Sequence, residues 1–427
     1  MKAIGARPKA NRRWGIMLRA AAVGFKATLF RRRAVEANRS LRTQTIKRVF
    51  MLLKRASLPI IEHASTGVRS RDGSVLGPGS IDGALNAGSL RIAGAIAKTI
   101  YANPTPSLGT KATLSMQSFA SVQWLSRATA GSSNLRLVAQ HVQSDLGVRD
   151  FSRSSRVGEY GQGLCSIFIQ DHLHVPIVLD FGVLCGLLGI PVPSKSVKHP
   201  DFAGWLGPEY WLVESKASLA QSSVKTELRE GLIQCDAGAT HIAANGGWLP
   251  TRSYSVLTAF QTDAAADDTA VHFADPSRRG GRIPDDIHDR VVRHYYRSAF
   301  TALGAVGDRL DGRLSQRRIR STFLPGFPGV RFEQIAGGRP PSFVRPASES
   351  MDLQWSRLYV DARVMDALRT GQAASYQDAT RRWIRDLQRS GEGVGSNMVA
   401  WADGLVLDLV GIDIDFASPE AVSNTPR

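Results

Sequence analysis

Helix-type and strand-type patterns alternate between residues 158 and 260, and this alternation constrains the fold more than any other feature of the chain. Residues 158–170 and 222–235 carry apolar side chains at helical spacing, every three or four positions. Strand-type apolar runs lie around them, at 177–181, 201–205, 210–215 and 254–260. Helices and strands in this order pack as layers on a sheet. The pattern therefore predicts an α/β or α+β fold with a mixed central β-sheet flanked by helices.

The segment 175–193 is apolar enough to be compared with a membrane helix. It contains Pro176, Pro191 and Pro193, together with three glycines. Proline and glycine disfavour the interior of a helix. We therefore predict a strand followed by a loop in this segment, inside the core.

The chain before residue 151 is expected to stand apart from that core. Residues 64–90 are rich in Gly, Ser and Asp and show no apolar period, which predicts a linker. Residues 91–101 and 113–146 have helix-type patterns. Residues 62–150 are thus predicted to form a linker and a helical region.

The core is predicted to span residues 151–305, and its last helix to begin after Pro284. A small α+β region is expected at 306–427. Its predicted elements are helices at 353–370 and 376–390 and a β-hairpin that turns at Asp403-Gly404.

The net charge of +17 belongs almost entirely to one end of the 427-residue chain. Residues 1–61 hold 16 Lys and Arg and one acid, Glu36, whereas the remaining residues hold 38 basic and 36 acidic side chains. The chain therefore has a basic N-terminal extension and a body that is close to neutral. This distribution excludes a uniformly basic nucleic-acid-binding body.

The basic extension, residues 1–61, is open to three interpretations. It is an arm that contacts phosphates or an anionic surface, a targeting or membrane-surface segment, or an extension without a fixed structure. Its apolar stretch 14–30 includes Arg19 and Lys26. That stretch is too short and too polar for a good transmembrane helix, so we predict no integral membrane span.

The chain contains three cysteines, Cys165, Cys185 and Cys235, and they form no Cys-x-x-Cys pair. An odd number of isolated cysteines argues against a disulfide scaffold and against a cysteine-rich zinc module. A reducing compartment, and hence the cytoplasm, is the expected location.

The candidate chemistry lies in residues 199–218. Asp201 follows Pro200, and Glu214 and Lys216 come at the end of an apolar strand. Side chains two apart on a strand share a face, so Glu214 and Lys216 project together. If Asp201 lies on the neighbouring strand, its carboxylate lies beside that of Glu214. Two such carboxylates are ligands for Mg²⁺, and the lysine would orient a water that attacks a phosphate.

This layout resembles the PD-(D/E)xK nuclease superfamily, whose members have the restriction-endonuclease-like fold. The resemblance covers residues 159–262 and maps the Asp, Glu and Lys of the motif onto Asp201, Glu214 and Lys216. It implies that Asp201 and Glu214 bind Mg²⁺, or Mn²⁺ in its place, and that all three residues are catalytic.

Two neighbouring helices carry further residues that the resemblance implies. Glu159, on the helix before the first strand, would be a fourth catalytic residue. Lys225 or Gln234, on the helix after the lysine strand, would be a polar residue that contacts nucleic acid.

The resemblance implies a bacterial, cytoplasmic, Mg²⁺-dependent nuclease that hydrolyses phosphodiester bonds, of DNA first and RNA as the alternative, in a defence or mobile-element setting. The expected partner is nucleic acid, and a homodimer or an activating partner protein is compatible with the sequence. Two other functions stay open. One is a catalytically silent nuclease-like scaffold, and the other is a membrane-surface or structural protein that uses residues 1–61.

Overall fold

The structure is a computed structural model, and it describes the chain in separate stretches. These are residues 56–65, 76–99, 125–127, 134–137, 150–194, 197–219, 223–262, 265–276, 280–308, 322–323, 331–334, 343–347, 357–389 and 398–408. Most of the predicted basic extension, residues 1–55, lies outside the described residues.

A seven-stranded mixed sheet forms the centre of the fold, as predicted. In spatial order its strands are β2 (Leu76–Asn86), β1 (Ser57–Ser65), β9 (Ala270–Ala274), β8 (Arg252–Ala259), β7 (Glu209–Ser218), β6 (Phe202–Leu206) and β5 (Ile177–Asp180). Strands β7 and β8 are parallel, as are β1 and β9, and the other neighbours are antiparallel. Strand β8 lies at the centre and is buried along seven of its eight residues, which explains its continuous apolar and small-residue sequence.

Helices cover both faces of this sheet. These are α1 (Ser89–Thr99), α2 (Asp150–Asp171), α3 (Phe181–Leu188), α4 (Val224–Ala244) and α5 (Asp285–Asp308). Helix α2 packs closely on one face, since a Cβ at Gly161 would lie 2.6 Å from the Cβ of Ala217. Helix α4 packs on the opposite face, since a Cβ at Gly231 would lie 3.2 Å from the Cγ of Glu214. Helix α4 is also the crossover that a parallel β7–β8 pair requires.

A second sheet lies in the C-terminal part of the chain. It contains β10 (Thr322–Phe323), β11 (Arg331–Gln334), β12 (Phe343–Ala347), β13 (Arg357–Asp361), β15 (Leu405–Asp408) and β14 (Met398–Ala400), in that spatial order. Helices α6 (Ala362–Thr370) and α7 (Ala373–Arg389) accompany it. A separate two-stranded sheet consists of β3 (Leu125–Arg127) and β4 (Leu135–Leu137), and the backbone N–H of Leu137 donates to the Gln261 carbonyl (2.9 Å), just after β8. The predicted hairpin at Asp403-Gly404 is confirmed by β14 and β15.

The prediction of a strand and loop for 175–193 is wrong in its second half, where the chain forms α3. The Asp180 carboxylate caps this helix by accepting a hydrogen bond from the backbone N–H of Val183 (3.0 Å). Gly189 ends it with a left-handed φ of 75°. The prolines at 176, 191 and 193 lie outside the helix. The helix is almost wholly apolar, so it has no polar face to reveal its period.

The predicted linker at 64–90 is also wrong where it is described, because 57–65 and 76–86 are paired strands of the central sheet. Strand β2 is an edge strand exposed along 78–84, so its sequence lacks an apolar alternation. The helix predicted at 91–101 is confirmed as α1, whereas 113–146 includes the short strands β3 and β4. The helix predicted at 353–370 is in part strand β13 and becomes helical only after Asp361.

Within the described stretches, no helix has both the length and the apolar character needed to cross a membrane.

Candidate active site

Asp201 and Glu214 lie side by side on neighbouring strands, as the sequence predicts. Strands β6 and β7 are antiparallel and pair Phe202 with Val213, so the next positions are Asp201 and Glu214. The backbone N–H of Asp201 donates a hydrogen bond to Oε2 of Glu214 (3.0 Å). The backbone N–H of Ser215 donates to Oδ2 of Asp201 (3.2 Å). Each carboxylate is thus held by an amide of the other strand.

The chain around Asp201 is fixed from two further directions. The Asp201 carbonyl accepts a hydrogen bond from the backbone N–H of Phe181 (3.0 Å), at the start of α3. Pro200 packs against α4, where a Cβ at Gly238 would come within 2.5 Å of its ring. The absence of a side chain at Gly238 therefore lets the helix approach the segment that positions the carboxylate.

Burial makes the carboxylate pair electrostatically unfavourable on its own. The Glu214 side chain is 4% exposed. Burial raises the pKa of Glu214, and the neighbouring charge of Asp201 raises it further. Burial also raises the pKa of Asp201, although the Ser215 amide and the Lys216 charge act in the opposite direction. Two like charges in this volume favour a bound cation or a shared proton.

Lys216 supplies one positive charge to the pair. Its Nζ lies 2.9 Å from Oε1 of Glu214, and its side chain is 21% exposed. Burial acts to lower the pKa of Lys216, but the charges of Glu214 and Asp201 outweigh this effect and raise it. Lys216 therefore stays an ammonium group, suited to hold an anion or a water and not to accept a proton.

The donor set at this site fits Mg²⁺ or Mn²⁺. Mg²⁺ is held in proteins by one or two carboxylates, with water and substrate phosphate completing its shell. Asp201 and Glu214 supply two carboxylates whose charges are only partly offset by Lys216. Among the described residues, no group of three or more His, Cys, Asp or Glu side chains is arranged to hold a metal.

Glu159 has a different environment from the one that the resemblance implies. Its Oε2 forms an ion pair with Nη1 of Arg156 at 2.7 Å. Glu159 lies two positions before Gly161, the residue at which α2 packs on the sheet. Two positions correspond to a rotation of about 200° around a helix. The Glu159 side chain therefore points away from β7, and the structure does not bring it into contact with Asp201, Glu214 or Lys216. A catalytic role for Glu159 stays a prediction.

The structure separates the two polar candidates on α4. Gln234 is buried and lies between Gly231, which approaches Glu214, and Gly238, which approaches Pro200. It therefore belongs to the helix stripe that faces the carboxylate pair. Lys225 is exposed in the first turn, and its charge lowers the pKa of His63 on β1, so it lies on the side toward that strand.

Sequence reasoning missed Glu227, which belongs to the same stripe of α4 as Gly231 and Gln234. Its charge helps to raise the pKa of Lys216. The signal was present in the sequence, because positions 227, 231, 234 and 238 recur at spacings of four, three and four. Recognising it required knowing that this stripe, and not its neighbour, faces the sheet.

The elements that build the site follow one another along the chain as α2, β5, β6, β7, α4 and β8, with the short α3 inserted after β5. In space β5, β6, β7 and β8 are consecutive neighbours. Comparison of the chain with protein-family models, with curated proteins and with solved structures found no match. The functional assignment therefore depends on the geometry of Asp201, Glu214 and Lys216.

Proposed function

We propose that this protein is a metal-dependent nuclease that hydrolyses phosphodiester bonds of DNA, and that residues 159–262 form a PD-(D/E)xK core of the restriction-endonuclease-like type. The observation that carries this proposal is the Asp201–Glu214 pair, with Lys216 Nζ 2.9 Å from Glu214. The Glu214 carboxylate accepts from the Asp201 N–H, and the Asp201 carboxylate accepts from the Ser215 N–H. Asp201 and Glu214 are thirteen positions apart in the sequence.

The chain connectivity supports the same proposal. A helix, three antiparallel strands, a crossover helix and a parallel strand surround the site in that order. The Asp lies immediately before the second of these strands and the Glu and Lys lie on the third. The resemblance implies two of these features, a helix before the first strand and a helix after the strand that carries the lysine.

The mechanism assigns different tasks to the three side chains. A divalent cation bound by Asp201 and Glu214 would neutralise charge on the scissile phosphate and lower the pKa of a bound water. Asp201 and Glu214 are held in place by backbone amides before any substrate arrives, which lowers the reorganisation that reaction requires. Lys216 remains protonated, so it orients the attacking water and offsets charge that develops on the phosphate.

The cysteines and the charge distribution support two accessory proposals. Cys165, Cys185 and Cys235 are all buried and none of them is in a disulfide bond, as suits a protein of the reducing cytoplasm. The near-neutral body has few charges to spare for phosphates, so we assign non-specific affinity to the basic residues of 1–61.

Metal-dependent cleavage by the wild type and by variants that each lose one cationic side chain tests the proposal. We expect the wild type to cut at least one of supercoiled plasmid, linear duplex, single-stranded DNA and RNA in Mg²⁺ or Mn²⁺, and EDTA to stop the reaction. Lys216→Ala should lose roughly a hundredfold or more in rate. Arg382→Ala, which removes an exposed cation from α7, should keep most of it.

Two outcomes would overturn the nuclease proposal. One is equal cleavage by wild type and Lys216→Ala, which would assign the activity to another site or a contaminant. The other is no cleavage of any substrate with either metal. Retained binding of nucleic acid in that second case would favour the catalytically silent scaffold.

A further inference from the structure

The loop that leads into Asp201 is held in a defined position. In its described parts, 190–194 and 197–200, the ring Nε2 of His241 on α4 donates to the Pro191 carbonyl (2.7 Å). The backbone N–H of Val197 donates to the Ser194 carbonyl (3.0 Å), and Pro200 packs against Gly238. The loop is therefore held against α4 at Pro191 and at Pro200.

The same loop presents apolar side chains to solvent. Val192 is 58% exposed and Val197 is 47% exposed, which places both among the few large apolar side chains left uncovered in the described residues. Val192 packs in space beside the start of α3, because a Cβ at Gly182 would be 3.3 Å from Cγ1 of Val192. The same Cβ would be 3.1 Å from Oδ1 of Asp180. The start of α3 is also where the Phe181 N–H donates to the Asp201 carbonyl, and Val197 precedes Asp201 by four residues on the same loop.

His199 adds an aromatic surface beside these valines. Its ring is stacked on Phe181 with centroids 5.3 Å apart and planes 28° from parallel, and Phe181 is fully buried. The ring Nδ1 lies 3.2 Å from the Pro200 carbonyl, which further fixes its plane. His199 is half-buried, so the imidazole is supported on one side and still reaches solvent. The exposed Lys198 precedes it.

A fixed ring, two apolar side chains and a lysine next to a phosphate-cutting site form a combination suited to a nucleotide whose base is unstacked. Bases in a regular duplex are hidden between their neighbours, so His199 and the valines could not reach a base face there. Aromatic and apolar contacts to bases also supply affinity that a near-neutral body cannot draw from phosphates alone.

We propose that Val192, Val197, Lys198 and His199 form a base-binding shelf, and that the substrate is single-stranded or locally unpaired nucleic acid. His199 stacks on the unpaired base, the valines pack against its edge, and Lys198 contacts the adjoining phosphate. This inference rests on the proposed nuclease function, because the shelf would hold a base of the strand whose phosphate is cleaved at Asp201 and Glu214.

Binding measured without cleavage separates the shelf from the nuclease activity. Fluorescence anisotropy in the Lys216→Ala background would compare single-stranded DNA, single-stranded RNA, a matched duplex, and the same duplex with a short central bubble. We expect the single strands and the bubble to bind about tenfold or more tightly than the matched duplex.

Four variants test the residues themselves. His199→Ala and Val197→Ser should each weaken single-strand and bubble binding, His199→Ala by about tenfold, and leave the weak duplex binding unchanged. His199→Phe keeps a stacking ring without the imidazole nitrogens and should restore binding. Ile81→Ser removes another exposed apolar side chain, on β2 at the far edge of the sheet, and should have no effect.

The shelf and the nuclease proposal fail in different ways. Equal binding of matched duplex and single strand, or wild-type binding by both His199→Ala and Val197→Ser, would overturn the shelf even if Lys216-dependent cleavage is found. Absence of any nucleic-acid binding would overturn it too. His199-dependent binding without cleavage by the wild-type protein would support the shelf and reject the nuclease.

Discussion

Glu214 is the residue at which burial and function conflict most directly. Its side chain is 4% exposed, and burial together with Asp201 raises its pKa above the ordinary value of 4.5. An unfolded chain keeps the ordinary value, so the folded protein binds more protons between the two pKa values. The contribution of Glu214 to the free energy of unfolding is fully present below its pKa in the unfolded chain and is lost as the pH rises through its pKa in the folded protein.

Metal-free protein should therefore become less stable as the pH rises from about 5 to about 8. Glu214→Gln removes the titrating charge while its amide oxygen can still accept the Asp201 N–H bond. We expect this variant to flatten the pH dependence and to gain about 1 kcal/mol at the alkaline end. Urea unfolding in EDTA at several pH values measures both effects, and an unchanged pH profile would show that Glu214 is not the residue responsible.

The residues of the candidate site were only partly predictable. Strand parity was enough to place Glu214 and Lys216 on one face, because a strand fixes which side chains share a face. Parity could not place Asp201 beside them, because that depends on which strands are neighbours. No such rule could decide whether Lys225 or Gln234 lies on the face of α4 that is turned toward the carboxylate pair. That choice depends on the rotation of α4 over the sheet, and the rotation is set by close packing at its glycines, which is a tertiary contact.

At the scale of elements, the packing of α4 on β7 and β8 depends on Gly231. A Cβ there would lie 2.1 Å from Oγ of Ser255 and 3.2 Å from Cγ of Glu214. The helix would have to move away from the carboxylate that it covers. Gly231→Ala should therefore destabilise the protein by about 1–3 kcal/mol and slow cleavage, despite the better helix propensity of alanine.

Gly158→Ala is the matched control, because Gly158 lies in α2 and nothing lies within 4 Å of a Cβ built there. That substitution should be neutral or stabilise the protein by up to about 1 kcal/mol. Urea unfolding of the two variants compares them directly. Similar unfolding free energies for both would contradict the close approach of α4.

Most of the elements of 158–260 could be predicted. A sheet that is buried on both faces requires apolar strands and helices with one apolar face, and both patterns are visible in the sequence. The failures share a physical cause. Helix α3 has no polar face and the exposed edge strand β2 has no apolar face, so neither has a period to detect. Their form is decided by a cap at Asp180 in one case and by pairing with β1 in the other.

At the scale of the whole molecule, a buried ion pair joins distant parts of the chain. Lys98 Nζ on α1 lies 2.8 Å from Oδ2 of Asp403, in the turn of the C-terminal hairpin, and their side chains are 2% and 0% exposed. Tyr295 of α5 donates to the same Asp403 oxygen, and Gln170 of α2 lies 3.4 Å from it. The hairpin is thus tied to the helices α1, α2 and α5.

Lys98→Met should destabilise the protein by about 3–5 kcal/mol, because it leaves the Asp403 charge buried without its cation. Adding Asp403→Asn should recover a large part of the loss, since no uncompensated charge then remains. Urea unfolding of the wild type, both single variants and the double variant gives the coupling free energy between Lys98 and Asp403. Additive effects in this cycle would mean that the two side chains do not interact in solution.

The central claim is that Asp201 and Glu214 together hold a divalent cation, and calorimetric titration with Mn²⁺ tests it most directly. In buffers of different ionisation enthalpy, the wild type should bind one ion and release roughly one proton, because the carboxylates have raised pKa values. Asp201→Asn should weaken binding by roughly a hundredfold, and Glu159→Gln, whose carboxylate is paired with Arg156, should leave it unchanged. Wild-type affinity in Asp201→Asn, or no binding by the wild type, would contradict the account.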